Sequence, residues 1–424
     1  MRAELLIQQG RYEQALAELQ QQLSDDPQDA YVLSRQSLCL TELNRLPEAV
    51  RQAESAIGWA PDAPYAHFAL GYARVRQKNY AEALRCVDQA IALDPDDVVY
   101  FGLKSAIHAQ QYGWKEALVA ADQGLALDPE NATCLNNRII ALTKLGRNVE
   151  ARLTAENALA RNPLVAETHS SHGWTLLQNG QWAQARTHFL EALRLDPELE
   201  WAQRGLVESI KARNPVYRLA LNYALQMSRL SPRLQLGLIF GGMIAINVLG
   251  QIGKTAPALE LPVTILTAVY LLGVYFIWIA EPLGNLLLRL HPLGKHALSR
   301  DQRHGAHLIG ACYLVAFGHI VPAAMGMMLG WELFFRWIAL VVPASAVFRC
   351  AAGRPRMIMA AATAAIAFFG IMLPELFVLP PFQHARIPVV FGNLLVLGIQ
   401  NFWLGIGLST WLANGLIVAS RRWE

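Results

Sequence analysis

The sequence predicts an all-α protein in two parts: a repeating stack of six helix pairs closed by a capping helix, followed by a six-helix transmembrane bundle. Three observations predict it. Pro27, Pro61, Pro95, Pro129, Pro163 and Pro197 follow one another at intervals of 34 residues without insertion or deletion, and a fixed period in the 20–50 range marks a repeat architecture. Beyond residue 232 the chain offers apolar stretches long enough for a bilayer core, which takes roughly 20 helical residues. Charge divides at the same place: residues 1–232 hold 27 acidic and 23 basic side chains, and the remainder holds 6 acidic and 13 basic.

Within each repeat the prolines put small residues in register. Ala15, Ala49, Ala83, Ala117, Ala151 and Ala185 stand twelve before the proline, where only a small side chain lets two helices approach. Ala56, Ala90, Gly124, Ala158 and Ala192 stand five before it, at the expected contact between one pair and the next. Tyr12, Leu46, Tyr80, Trp114 and Trp182, fifteen before the proline, are expected to open the second helix, with Asn148 departing from the pattern. A Gly- or Asn-containing turn such as "NGQW" joins the two helices, and the proline, lacking an N–H, stops the second.

The stretch "HFALGYARVRQKNYAEALRCVDQAIALDP", residues 67–95, carries Gly71, Tyr80, Ala83, Ala90 and Pro95 in one repeat. It resembles the tetratricopeptide repeat family, and the resemblance covers residues 1 to about 213, with a shortened helix at the start. The resemblance implies a right-handed superhelix whose concave face, lined by the first helix of each pair, holds peptides or partner proteins. The groove-facing residues it implies are Tyr31, Ser34, Arg35, Tyr65, Phe68, Tyr72, Arg76, Gln110, Asn136, Asn137, Lys144, Ser170 and Trp174. Aromatic rings give contact area at low entropy cost, and Arg and Lys can hold a carboxylate. Asn137 matches the family's peptide-holding asparagine, whereas the other repeats lack it.

A stacked array needs an end cap. "EWAQRGLVESIKAR", 200–213, is expected to supply it through an inward stripe of Trp201, Leu206, Val207 and Ile210. An amphipathic linker helix follows over 214–232, with Asn214 as N-cap and Pro215 at the first helical position; it can dock on the repeat stack or lie on the membrane surface, and the surface is the favoured reading.

The expected spans of the membrane domain, 233–424, are 234–253, 261–280, 306–329, 333–349, 357–374 and 389–411, the last extending toward 420 as one helix or as a span plus an interfacial helix. Eleven basic residues (Arg229, Arg233, Arg289, Lys295, Arg300, Arg303, Arg349, Arg354, Arg356, Arg421 and Arg422) fall on the side of the repeats, against Lys254, Arg336 and Arg386 opposite. Cytoplasmic loops hold the excess of Lys and Arg, which places both termini and the repeats inside. The small-residue faces "GLIFG", "GMMLG" and "AAATAA" suit packing within one chain or in a homo-oligomer.

Catalytic signals are lacking. The sequence has no phosphate-cradling glycine loop with Lys, no HExxH and no GxSxG. Cys39, Cys86, Cys134, Cys312 and Cys350 form no CxxC pair and read as small buried side chains. His319 in "AFGHIVP" is an intramembrane polar group and a functional candidate on that ground. His291, His296, His304 and His307 are too loosely spaced for a metal site, so no metal or cofactor is expected. Clustered basic residues are absent, which argues against nucleic acid. "NAT" at 131–133 matches a glycosylation acceptor but lies in an expected cytosolic turn.

The function these features suggest is a membrane-anchored adaptor, not an enzyme, in the inner membrane of a bacterium. Its groove would recruit an unidentified protein or peptide to a base embedded in the lipid bilayer. A transporter or channel with the repeats as regulatory arm, and a membrane-embedded lipid or redox enzyme, are the alternatives.

Overall fold

The computed structural model describes residues 2–255, 257–289, 300–326, 328–372 and, further on, 402, 404–410, 412, 413, 415 and 416. Every regular element among the described residues is helical. The chain divides into two compact units, Met1–Ser209 with Leu225–Gln235, and Ile210–Ala224 with Leu236–Glu424. The segment expected as one linker helix over 214–232 is therefore split, its second half clustering with the repeats.

In the first unit the pairs are α1 (Arg2–Gln8) with α2 (Tyr12–Asp25), α3 (Ala30–Glu42) with α4 (Leu46–Trp59), and α5 (Pro64–Arg76) with α6 (Tyr80–Leu93). Next come α7 (Val98–Gln110) with α8 (Trp114–Leu127), α9 (Ala132–Lys144) with α10 (Asn148–Arg161), and α11 (Ala166–Gln178) with α12 (Trp182–Leu195), before α13 (Glu200–Lys211). The residues fifteen before each proline do open the second helices. Each second helix that closes on a proline ends in an extended C-cap residue, such as Asp94, one position before it. Several first helices are capped by side chains: Asp29 accepts from the Tyr31 and Val32 amides, and Asn131, the glycosylation-like asparagine, accepts from the Cys134 amide.

The register alanines at 15, 49, 83, 117, 151 and 185 are all 0% exposed, which explains why nothing larger stands there. Gly124 has the same cause: a Cβ would come 2.6 Å from the Cys134 sulfur. All five described cysteines are buried and free, and burial pushes the Cys39 and Cys134 thiols up to about 11, the chemistry of packed rather than reactive thiols.

The turns inside the pairs follow the period too. Gly10, Asn44, Lys78, Tyr112, Gly146 and Gly180 all have positive φ, between 59° and 80°. At Gly180, φ is +76° and a Cβ would meet nothing within 4 Å, so only backbone strain opposes a side chain. Gly180→Ala is expected to cost about 1 kcal/mol, read as a lower midpoint in urea unfolding followed by helical circular dichroism. An unchanged midpoint would show that the turn relaxes freely.

The cap departs from expectation. The buried face of α13 is Ala202, Gly205 and Ser209, while Trp201, Leu206, Val207 and Ile210 are half-buried. Phe189 of α12 takes the space against Gly205, so the cap must present small residues there.

The second unit contains most of α14 (Pro215–Met227) and α15 (Pro232–Thr255), then α16 (Pro257–Arg289), α17 (Arg300–Gly318), α18 (Ile320–Ala324), α19 (Met328–Val347) and α20 (Arg354–Ala367), which ends in a π-helical turn, Phe368–Met372. Among the described residues three helical stretches are long and apolar enough to cross a membrane: Arg300–Ala324, Gly330–Val347 and Arg354–Met372. They coincide with the third, fourth and fifth expected spans. The first two expected spans fall on α15 and α16, and most of 389–411 lies outside the described residues. Ile279, Ile309, Cys312, Leu333, Leu340 and Val341 share one core in this unit. Arg336 is buried in it, donating to the Gly370 carbonyl at 2.6 Å and to Glu332, one helical turn before it. The Arg356 guanidinium clamps Asp301 through two bonds of 2.9 and 2.8 Å, tying the starts of α20 and α17.

Candidate binding face of the repeat unit

The first helices bring an aromatic ladder together. Tyr31 of α3 stacks on Tyr65 of α5 at 5.7 Å, Tyr65 lies 5.6 Å from Phe68, and Phe68 lies 6.3 Å from Tyr72 and 5.6 Å from Tyr100 of α7. Tyr31 is 56% exposed, whereas Phe68 and Tyr100 are buried in the core of these repeats. The ladder is thus a wall with one open end at Tyr31 and a foundation at Phe68. Offset aromatic pairs at such distances add about 0.5–1.5 kcal/mol each beyond their buried area, which stiffens the wall.

Arg35 is held in this wall. Its guanidinium lies 5.4 Å from the Tyr31 ring and 5.2 Å from the Tyr65 ring. It donates to the Tyr65 hydroxyl at 2.5 Å and the Tyr31 hydroxyl at 3.1 Å, and it pairs with Glu4 of α1. Arg76 is matched by Glu42 at 3.5 Å, and the Tyr72 hydroxyl also donates to Glu42. Burial pushes the Tyr65 and Tyr72 hydroxyls up to about 12, so both stay protonated, Tyr65 accepting from Arg35 and Tyr72 donating to Glu42. The two arginines expected to be available for a ligand carboxylate each already have one in the chain.

The remaining expected groove residues do not gather into one patch. Ser34 and Ser170 are buried, and Ser34 donates to the Ala30 carbonyl in its own helix. Asn137 donates to the Gly102 carbonyl at 3.0 Å, using its amide on the neighbouring helix. The half-buried Asn136 has a buried carbonyl oxygen that accepts no bond, and Gln110 is exposed at the end of α7. Trp174 stacks on Trp201 at 6.1 Å and meets Phe189 edge-on at 5.6 Å, closing the end of the stack. Lys144 donates to Ser228 at 2.7 Å, and burial followed by the nearby Arg229 lowers its pKa.

Sequence reasoning missed Glu4 and Glu42. Glu42 had a signal: it precedes Arg76 by one period, so the two end successive first helices. It also missed three imidazoles between α11 and α12. His169 Nδ1 lies 3.1 Å from His188 Nδ1, and the His172 ring lies 4.3 Å from the His188 ring.

In the second unit His319 stands half-buried at the break between α17 and α18. His304 and His307 are exposed, and His291 and His296 lie outside the described residues. Among the described residues no three His, Cys, Asp or Glu side chains assemble into a group that could hold a metal ion.

Two family models, both described as tetratricopeptide repeat, match residues 1–64 and 64–97. Solved structures of such proteins are similar to the repeat half. One, a thermophilic TPR protein of Thermus thermophilus, is 19% identical over 43% of this chain and 98% of its own, with a TM-score of 0.39. A tetratricopeptide repeat protein of Parabacteroides merdae is 16% identical over 49% and 81%, with a TM-score of 0.43. PilF of Pseudomonas aeruginosa is 19% identical over 48% and 92%, with a TM-score of 0.39. No curated protein matches the chain. Over residues 1–97 the helix pairs match tetratricopeptide repeats, through which proteins bind other proteins and which are typically non-catalytic.

Proposed function

We propose that this chain is a membrane-anchored adaptor: its repeats recruit a protein or peptide to the cytoplasmic face of a bacterial inner membrane in which its apolar helices are embedded. The observation that carries the binding half of this reading is the stiff tyrosine wall with its open end at Tyr31 and a cation fixed between two rings. Arg35 and Arg76 are neutralised by Glu4 and Glu42, so the wall favours an uncharged segment laid across its rings over a carboxylate-led ligand. The residues assigned to binding are Tyr31, Arg35, Tyr65, Tyr72 and Arg76, with Phe68 as their support. The membrane half rests on the three apolar helices and on the eleven-to-three distribution of Lys and Arg; six spans would return the C-terminus to the cytoplasm.

The test compares partners captured by the solubilised full chain with those captured by Tyr31→Ala/Arg76→Ala, both side chains being exposed enough to remove without opening the core. A partner is expected to lose at least tenfold in affinity to the variant. Equal capture would sink the groove reading. A C-terminal topology reporter active outside the cytoplasm would sink the six-span count.

A second reading, transport with the repeats as a regulatory arm, draws on the break at Gly318–His319 inside an otherwise continuous apolar stretch, because broken helices supply binding groups at membrane depth.

A further inference from the structure

We infer that the turn edge of the fourth to sixth repeats is a second peptide-recognition site, separate from the tyrosine wall, and that residues 228–230 of the same chain are its resident, displaceable ligand. Glu42, Arg76, Gln110, Lys144 and Gln178 are each the last residue of a first helix, so the period sets them in one column along that edge. The early part of the column is satisfied within the stack, Arg76 pairing with Glu42 at 3.5 Å. In the later part, Lys144 and Gln178 are engaged by the strap that follows α14.

Three repeats touch two consecutive strap residues. Trp114 Nε1, from the first residue of α8, donates to the Arg229 carbonyl at 2.7 Å. Lys144 Nζ donates to Ser228 Oγ at 2.7 Å and lies 5.9 Å from the centre of the Trp114 ring. Gln178 Oε1 accepts from the Arg229 guanidinium at 3.0 Å. Gly146, at φ +80°, leaves room for that guanidinium, since a Cβ would stand 3.1 Å from it. One backbone group, one hydroxyl and one side-chain terminus are read at once, the pattern by which a surface recognises an extended peptide.

The strap behaves as a ligand rather than as core. Met227, Ser228, Arg229 and Leu230 are all half-buried, none fully. Gln235 folds the strap into a hook by donating to the Met227 and Leu230 carbonyls, both at 2.9 Å. The fit carries a fault: Lys144 and Arg229 are like charges brought together, and among the described residues no carboxylate pairs with either. A tethered segment keeps such a seat because its effective concentration is in the millimolar range. A free segment presenting a hydroxyl residue followed by an acidic one keeps the Trp114 and Lys144 bonds and replaces the repulsion with attraction. That is the partner chemistry the edge fits.

The experiment uses the full chain in detergent and two synthetic peptides of residues 223–232, one with the natural sequence and one carrying Arg229→Glu. Binding is followed by anisotropy and strap release by amide exchange over residues 225–231. The acidic peptide is expected to bind at least tenfold more tightly than the natural one and to raise exchange in the strap. Trp114→Phe/Gln178→Ala is expected to expose the strap and abolish peptide binding with the repeat melting transition unchanged. A strap that stays protected at saturating acidic peptide, or a peptide that binds the double variant as well as the parent, would overturn the inference. So would a strap-to-edge cross-link found between two copies instead of within one. Because Tyr31 makes none of these strap contacts and Arg76, in the early part of the column, is paired with Glu42 instead, failure here leaves the tyrosine wall untouched.

Discussion

Phe189→Ala is expected to cost about 3–5 kcal/mol, the range for emptying a fully enclosed aromatic site. The Phe189 ring is 0% exposed. It fills a slot whose two walls are glycines, Gly173 of α11 and Gly205 of α13, and a Cβ at Gly173 would come within 2.7 Å of the ring. Trp174 stands edge-on to it and stacks in turn on Trp201. The slot therefore joins the last repeat to its cap, and no neighbouring side chain can collapse into it without moving a helix. Stability in a repeat stack is nearly a sum of local terms, so the loss should concentrate at one end. Amide exchange should rise across α11 to α13 while α3 to α6 keep their protection. Gly205→Ala should cost about 1–3 kcal/mol by overpacking, and Phe189→Leu should relieve part of that penalty. A loss below about 1 kcal/mol in Phe189→Ala, or one spread evenly over the stack, would show that the cap is not held through this ring.

The slot also shows which parts of the molecule are readable one residue at a time. The prolines, the register alanines and the opening residues of the second helices each answer to contacts inside one repeat or with the next, so a 34-residue alignment exposes them. The cap does not repeat. Its buried face was sought as an apolar stripe, Leu206 and Val207 among it, whereas the structure buries Ala202 and Gly205 because the bulk comes from Phe189. The groove shows a related limit. Counting along first helices places Tyr31, Arg35, Tyr65 and Tyr72 in one neighbourhood, but their charge balance depends on Glu4 and Glu42, whose partners sit about one period away in sequence. The strap is harder still, since Ser228 and Arg229 belong to no repeat and carry no periodic signal. Lys144 and Trp114 are legible as positions; what occupies them is not. In the second unit the apolar stretches are plain in composition, while burial of Arg336 against Gly370 requires helices to be placed in three dimensions.

Acidification from pH 7 to about 4.5 is expected to loosen the sixth repeat before the others. His169 and His172 stand one turn apart on α11, and His188 faces them from α12. The ring of His172 is buried with neither nitrogen hydrogen-bonded. Burial, then His188 and His169, lowers its pKa to about 4, and burial lowers that of His188 as well. The charged groups facing the cluster are Arg152 and Glu156 on α10 and Glu191 on α12; Arg152 is engaged by Glu156 at 2.9 Å, and Glu191 by Arg194 at 2.6 Å. Above the ordinary histidine value of 6.5, His172 is neutral whether folded or unfolded and its titration contributes nothing to pH dependence. As pH falls from there toward about 4, the unfolded chain takes up a proton that the folded chain refuses, so stability is lost across that window. At about 1.4 kcal/mol per pH unit the loss from His172 is on the order of 3 kcal/mol. His172→Leu removes the titrating group while keeping an apolar filling, and it should flatten the slope of unfolding free energy between about pH 6.5 and 4.5. A slope that survives in His172→Leu over that window would move the acid sensitivity to His188, whose pKa burial also lowers, and one that begins only below it would move it to the carboxylate pairs. Those share the sign but not the window: Glu48 and Glu150 lie below the ordinary carboxylate value, first through their bonds to Arg45 and Arg147, so any stability they lend disappears only once the pH has fallen through the carboxylate range. The two origins are therefore separable by the pH at which the slope begins, near 6.5 for the buried imidazole and below 4.5 for the surface carboxylates.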